Sequence, residues 1–208
     1  MAAMTSQPPM SPHKAEACAT LSPIGQKLFR FIEFDDNEEL LAEIRKHPIG
    51  LFFILVTGFF ITAVILVAAG LLATHLSDLS LDAVDNGSSI QGIIIVIGVV
   101  LAALSIFMTL IVAILYRSNV VFVTNEKIAE VMYVSIFNRR IMQLGIGNVE
   151  DITVTQKGIL PRLFDYGGLI IETAGEIKNP ALTYVPKPNE NAQLITKNHE
   201  QYVEKYGN

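Results

Sequence analysis

Residues 49–73 read IGLFFILVTGFFITAVILVAAGLLA, and residues 90–116 read IQGIIIVIGVVLAALSIFMTLIVAILY. Neither run contains Asp, Glu, Lys, Arg or His, and each exceeds the ~20 residues that a helix needs to cross the hydrocarbon core of a bilayer. Apolar side chains occur on all sides of both runs, whereas a surface helix of a soluble protein has a polar face. A chain of 208 residues is too short to enclose two such helices in a soluble core. The runs therefore predict two transmembrane helices.

The spacing of small residues within the runs predicts how the two helices pack. Three pairs are four residues apart: Gly58 and Thr62, Ala69 and Ala73, and Gly98 and Ala102. Such spacings let helix backbones approach each other, although they also occur by chance. With a connection of about 16 residues, the simplest arrangement is an antiparallel hairpin.

The flanking charges predict the orientation of this hairpin. Arg45 and Lys46 precede the first run and Arg117 follows the second, whereas the connection at residues 74–89 carries three Asp residues and no Lys or Arg. Basic residues stay on the cytoplasmic side of a membrane. We therefore expect a multi-pass protein of the cell membrane, with both termini in the cytoplasm and an acidic loop outside.

The overall composition argues against several function classes. The chain has 15 basic and 20 acidic residues and a formal net charge of −5, which gives no reason to expect nucleic acid as a partner. A single cysteine, Cys18, excludes an internal disulfide and a cysteine-based zinc site. The four histidines are scattered, so neither a metal site nor a cofactor is expected.

The part of the chain before the first run divides into two segments. Residues 1–23 are rich in Pro, Ser and Thr, a composition that predicts a disordered leader. In residues 24–48, partial alternation around Phe29, Phe31 and Phe34 predicts a short strand. An acidic stretch beginning at Asp36 then predicts the start of a juxtamembrane amphipathic helix. An isolated strand is not stable in water, so we expect this segment to dock on the downstream domain or to lie at the membrane surface.

Residues 117–208 differ in kind from the rest of the chain. Ten basic and ten acidic residues leave this segment with no net charge. Turn signals separate six β-rich runs, at residues 119–124, 128–136, 140–144, 149–156, 169–173 and 181–185. A polar helix follows, with Pro188 in its first turn and an apolar stripe that includes Ile195 and Tyr202. The predicted fold class is α+β, with a transmembrane hairpin followed by a small antiparallel sheet or barrel and a helix.

Two stretches of this segment resemble a known family. Residues 116–128 read YRSNVVFVTNEKI, and residues 147–175 read GNVEDITVTQKGILPRLFDYGGLIIETAG. They look like the opening strand and the most recognisable part of the bacterial PH-like domain membrane proteins of the YdbS type, and the resemblance covers about residues 40 to 200. It implies a cytoplasmic PH-like β-barrel or sandwich capped by a C-terminal helix, in a family of membrane proteins without an established enzymatic activity. Leu160, Leu163 and Phe164 are expected to fill one mouth of this barrel.

Two binding functions are compatible with these features. The first is a membrane-anchored scaffold for proteins, or for further copies of the chain, with contacts through exposed sheet edges and through Phe29, Phe31 and Phe34. The alternative is weak binding of anionic lipid headgroups, since a basic residue near such a surface contributes about 1 kcal/mol. The candidate residues for the second function are Arg117, Lys127, Arg139 and Arg140, which are otherwise ordinary solvated side chains.

The sequence does not favour an enzyme. Motifs for a nucleophilic serine, a phosphate-binding loop or a zinc protease do not occur in the chain. Glu150 and Asp151 are adjacent, so in a strand their carboxylates point to opposite faces and cannot share a reaction. Eukaryotic PH domains that bind phosphoinositides use a basic loop between their first two strands. The corresponding loop here, residues 124–127, holds one lysine beside a glutamate, and this departure from the pattern argues against recognition of phosphoinositides. We expect no catalytic residues.

Overall fold

The computed structural model describes residues 12–35, 37–79, 87–173 and 180–207. The chain divides into two compact units. The helical unit is Pro48–Tyr116, and the β unit consists of the described residues within Met1–His47 and Arg117–Asn208.

The elements follow one another along the chain in a mixed order. They are α1 (Pro12–Ala19), α2 (Pro23–Phe29), β1 (Leu40–Arg45), α3 (Pro48–Leu79), α4 (Gly87–Arg117), β2 (Val120–Thr124), β3 (Lys127–Tyr133), β4 (Arg139–Gly145), a 3-10 turn (Ile146–Asn148), β5 (Val149–Thr155), α5 (Ile159–Leu163), β6 (Tyr166–Thr173), β7 (Ala181–Pro186) and α6 (Pro188–Tyr206).

The helical unit is an antiparallel pair whose helices approach at small residues. Gly98 lies against the side chain of Ala69, and Gly58 lies against Thr109. Between these contacts the Thr62 hydroxyl lies 3.2 Å from the Ser105 hydroxyl. The predicted antiparallel packing of the two helices is confirmed, and their interface uses the predicted small residues. Two stretches, Pro48–His75 and Gln91–Arg117, are long and apolar enough to cross a membrane.

Gly98 offers a test of this packing with a matched control. In Gly98→Leu, the new Cβ would overlap the side chain of Ala69, whereas the same change at Gly92 meets nothing within 4 Å. We expect overpacking to cost about 2 kcal/mol and to lower the Tm of the detergent-solubilised protein by about 5 °C. Gly92→Leu should leave the Tm unchanged, and equal losses in the two variants would contradict this account of the interface.

The β unit contains two antiparallel sheets. The first has the strand order β1-β2-β3-β4, and the second has the order β5-β6-β7. One core is shared by both sheets and α6, with Val123, Leu169 and Ile195 among its fully buried side chains. This arrangement agrees with a PH-like α+β fold, and the strands from β2 onward begin and end within a few residues of the predicted runs.

The helical unit is inserted within the first sheet. β1 precedes α3 and pairs with β2, which follows α4, so that Arg45 lies opposite Val120. The chain therefore leaves the sheet at the end of one strand and returns at the start of its neighbour.

The predicted elements before Pro48 are wrong. Where the sequence predicts a strand around Phe29, the chain forms helix α2. The Ser22 hydroxyl caps the first turn of this helix by accepting a hydrogen bond from the Gly25 amide at 3.0 Å. The predicted juxtamembrane helix is occupied in part by strand β1. The reason is tertiary: β2 offers an edge for pairing, and burial of Ile44 in the shared core overrides local helix propensity. Asp36, the predicted cap, lies outside the described residues.

The described part of the predicted disordered leader is ordered. Helix α1 spans Pro12–Ala19, and residues 1–11 lie outside the described part of the chain. A second core, which we call the N-terminal core, explains this order. It joins side chains from the N-terminal segment to side chains from β2 and β3: Leu21, Leu28, Phe29 and Ile32 pack with Val120, Phe122, Ala129 and Val131. For residues 24–48, the prediction of docking on the downstream domain is therefore confirmed.

Candidate functional site

One end of the first sheet is where the chain leaves and re-enters the β unit. Strand register places Arg45 opposite Val120 and Val120 opposite Val131. Two residues further along β3, Tyr133 pairs with Arg139 at the start of β4. We call this the exit end of the β unit.

The turn between β3 and β4 projects from the exit end and carries apolar side chains into solvent. Phe137 is 97% exposed, and more than half of the surface of Val134 and Ile136 is exposed as well. The turn is closed by the Val134 amide, which donates to the Asn138 carbonyl at 3.0 Å. Its apolar tip is therefore held by the backbone and not by packing. We call residues 134–138 the β3–β4 turn.

Two exposed arginines follow this turn. Arg139 and Arg140 begin β4, and the guanidinium of Arg139 lies 3.6 Å from the ring centroid of Phe31. Such a cation–π contact fixes the Arg139 side chain beside the N-terminal segment. Arg117, at the end of α4, is exposed as well. Three of the four predicted headgroup residues thus lie on the surface near the exit end.

Lys127 is the exception among the predicted headgroup residues. It begins β3 at the opposite end of the sheet, where it pairs with Gly145. Its ammonium forms a 2.9 Å ion pair with Glu38, which is fully buried. The predicted surface role of Lys127 is wrong because this cation neutralises a buried carboxylate. The nearby carboxylates of Asp35 and Glu126 surround an ion pair that is already satisfied.

The predicted protein-contact phenylalanines differ in exposure. Phe29 is fully buried in the N-terminal core, so its predicted role as a surface contact is wrong. Phe34 packs edge-on against Phe29, with ring centroids 5.0 Å apart. Phe31 is 39% exposed beneath Arg139. Contact of a partner with Phe31 or Phe34 stays a prediction.

Helix α5 is a second exposed apolar element. Ile159 is 84% exposed and Leu163 is 70% exposed, and Leu160 and Phe164 are also exposed. The prediction that Leu160, Leu163 and Phe164 fill a barrel mouth is wrong. Basic side chains accompany them, since Lys157 and Arg162 are exposed beside the same helix.

Aromatic stacking places α5 near the exit end. Three residues after α5, Tyr166 stacks on the ring of His47 with centroids 5.3 Å apart. His47 is the last residue before α3, and its amide donates to the Tyr184 carbonyl at 2.6 Å. Burial lowers the pKa of His47, and the nearby Asp165 carboxylate offsets only part of this shift.

A cavity of about 80 Å³ lies between β1–β3 and β7, lined by apolar residues such as Ile44, Val121 and Val185. Arg45, Lys46 and Glu130 contribute its charged lining. Burial raises the pKa of Glu130, and the neighbouring Lys46 and Arg140 offset only part of this shift. Burial also lowers the pKa of Lys46, against the opposing effect of Glu130. The cavity accommodates a small group at most.

The raised pKa of Glu130 predicts a pH dependence. A carboxyl with a higher pKa in the folded than in the unfolded state binds more protons when folded, so its contribution to stability falls as the pH rises between the two values. We expect Glu130→Gln to remove a decline in the free energy of unfolding above about pH 4.3, the ordinary Glu value. Urea unfolding at several pH values measures this effect. An unchanged pH profile in Glu130→Gln would contradict it, and Glu150→Gln, at an exposed carboxylate, is the control.

Sequence reasoning missed the β3–β4 turn and α5 as surface features. The available signal was the presence of Val134, Ile136 and Phe137 within a turn, because a turn normally carries polar residues. For α5, the sequence cannot distinguish apolar residues that fill a core from those that face outward.

Comparison with known proteins gives one match. Residues 49–197, more than half of the chain, match the sequence model of a family described as bacterial PH domain. No curated protein matches the chain, and no solved structure matches it.

Proposed function

This chain belongs to the bacterial PH domain family, and on that premise we propose that it is a membrane-anchored binding and scaffold module without catalysis of its own. The resemblance found in the sequence is confirmed at the level of this family, and assignment to the YdbS type stays a prediction. In the proposed arrangement, the two sheets form the PH-like barrel or sandwich with α6 as its cap, and α3 and α4 cross the membrane.

One observation carries this proposal: the helical unit is inserted between two paired strands. Arg45 and Val120 are neighbours in the sheet, so both ends of the hairpin start from one place. A hairpin with such ends keeps the β unit on a single side of the bilayer. Arg45, Lys46 and Arg117 at these ends favour the cytoplasmic side.

Protease protection tests this topology. In intact cells, protease added outside should spare the β unit, and in inverted membrane vesicles it should cleave the same unit. Carbonate washing should leave the full-length protein in the membrane. Release by carbonate, or digestion of residues 117–208 from outside intact cells, would contradict the proposal.

For the scaffold function we propose a protein partner that pairs with β4. In the described structure β4 is an edge strand whose one strand neighbour is β3, and a sheet edge can accept an added strand. Photo-crosslinking in cells from Gln143, which is exposed on β4, should give adducts of defined mass. Gln193, exposed on α6, is the control position. Adducts with lipid alone would contradict this function, and adducts of twice the protein mass would identify a second copy.

Binding of anionic headgroups is the second candidate, and the exposure of Arg139 and Arg140 near the exit end favours it. Each contributes about 1 kcal/mol near an anionic surface, so Arg139→Gln/Arg140→Gln should weaken the association of the β unit with phosphatidylglycerol vesicles about 30-fold. Lys197→Gln/Lys205→Gln, with two lysines on α6, removes the same charge as a control. Equal weakening by both double variants would reject this candidate.

A further inference from the structure

The geometry points to a membrane-inserted surface on the β unit, formed by the β3–β4 turn and α5. The partner is the phospholipid bilayer itself, contacted through apolar side chains and not only through charges. This inference rests on the proposed membrane anchoring. It adds that the β unit contacts the bilayer at two points besides the hairpin, the β3–β4 turn and α5.

The first argument is the distribution of exposed apolar side chains. In the described part of the β unit, ten large hydrophobic side chains are exposed, and seven of them belong to the β3–β4 turn or to α5 and its adjoining Phe164. Soluble surfaces rarely gather large apolar side chains in this way, and such patches mark contact with proteins or membranes. Their position in the fold decides between the two.

The second argument is the position of the β3–β4 turn. Tyr133 lies beside the segment that connects α4 to β2, because its amide donates to the Asn119 side-chain oxygen at 2.9 Å. Asn119 follows Arg117, the last residue of α4, by two positions. The turn begins immediately after Tyr133, so it projects from the end of the β unit at which the chain arrives from α4. If α4 crosses a bilayer, as proposed above, this is the end of the β unit that is joined to the membrane.

The third argument places α5 at the same end of the β unit. Tyr166 stacks on His47, and His47 directly precedes Pro48, the first residue of α3. Tyr166 also stacks on Tyr184, with ring centroids 5.7 Å apart. Tyrosine is enriched where proteins cross the membrane–water interface. The short connection from α5 to Tyr166 keeps Ile159 and Leu163 near His47, at the exit end of the β unit.

Charge complements this assignment. Arg139 and Arg140 follow the β3–β4 turn, and Lys157 and Arg162 accompany α5. An apolar tip surrounded by basic side chains suits the boundary between acyl chains and anionic headgroups.

Depth-dependent quenching in reconstituted full-length protein tests the inference. In a Cys18→Ser background, single cysteines at Phe137, Ile159 and Gln201 each carry an environment-sensitive fluorophore. Phe137 and Ile159 are almost fully exposed, so the substitutions do not disturb a core. Gln201 is exposed on α6 between Asn198, which bonds the Thr124 carbonyl, and Lys205, which lies near Glu126. It therefore reports on the opposite end of the unit.

The vesicles contain phosphatidylcholine and phosphatidylglycerol, with or without lipids brominated along their acyl chains. We expect blue-shifted emission and loss of most fluorescence to brominated lipid at positions 137 and 159, with no change at 201. Vesicles of phosphatidylcholine alone should show weaker quenching at 137 and 159, since the basic residues then have no anionic headgroups.

Two results would overturn the inference, and they differ in what else they overturn. If the protein resists carbonate extraction from the vesicles but positions 137 and 159 are quenched no more than 201, the surface is not inserted and the anchoring stands. If carbonate releases the protein, both the anchoring and the inserted surface are wrong. If the fluorophore at position 137 or 159 shows blue-shifted emission only after a soluble protein is added, the surface binds a protein partner. That result would also overturn the inference of an inserted surface.

Discussion

Residues 1–47 connected to residues 117–208 by a short linker should fold as a soluble unit, whereas residues 117–208 alone should not fold. A short glycine-serine linker replaces Pro48–Tyr116 in the first protein. It has only a short gap to cover, because Arg45 and Val120 are paired neighbours. Removal of the helical unit then turns the β1–β2 pair into an ordinary hairpin.

The second protein loses parts of both cores. Without residues 1–47 the shared core loses Ile44, and the N-terminal core loses Leu21, Leu28, Phe29 and Ile32. At about 2 kcal/mol for each fully buried side chain, the loss is about 10 kcal/mol, which is comparable to the whole free energy of unfolding of a small domain. β2 would also expose the edge that β1 covers.

Circular dichroism and amide NMR dispersion measure the outcome. The linked protein should unfold cooperatively. Residues 117–208 alone should show amide NMR signals confined to a narrow range of chemical shifts, and they should aggregate. A cooperative transition of residues 117–208 within a few degrees of that of the linked protein would contradict the account. It would mean that the N-terminal segment covers the domain without being part of it.

Glu38→Ala should be the most destabilising single substitution among the charged residues described above. The Glu38 carboxylate is fully buried and accepts from the Thr124 hydroxyl at 2.6 Å and from the Asp35 amide at 3.1 Å. It also pairs with Lys127 at 2.9 Å. Loss of one partner of a buried ion pair costs about 3–5 kcal/mol, since the other charge stays buried without compensation.

Urea unfolding of the linked β unit measures this loss. Glu39→Ala is the matched control, since Glu39 is the exposed neighbour of Glu38, and it should change stability by less than about 0.5 kcal/mol. Glu38→Leu/Lys127→Met removes both charges and should recover much of the loss. If Glu38→Ala and Glu39→Ala cost the same, the ion pair does not stabilise the fold.

The sequence predicts some of these elements well because their signals are local. The apolar runs around Gly58 and Gly98 predict the helical unit, since composition alone decides whether a helix suits a bilayer. The strands from β2 onward follow turn signals such as Asn125 and Asn138. Their limits are correct within a few residues because hairpin turns are formed by adjacent residues.

The elements that sequence reasoning missed depend on distant partners. The segment Leu40–Arg45 has residues suited to a helix, but β2, its partner, lies beyond the whole helical unit. The burial of Glu38 depends on Lys127, which is equally remote. The exposure of Phe137 and Ile159 is likewise set by what the tertiary fold leaves uncovered, and local pattern does not report it.

The insertion of the helices within the first sheet also sets the order of events during synthesis. β1 leaves the ribosome before α3, and the strand that it must join is made only after α4 is complete. If the apolar helices enter a membrane as proposed, nascent β1 stays unpaired while they are delivered to the bilayer. A ribosome that stalls before residue 120 leaves Leu28 and Phe29 without the side chains of β2 and β3 that cover them, and exposed apolar surface of this kind is open to chaperones and proteases. Completion of the first sheet therefore has to follow the synthesis of both helices.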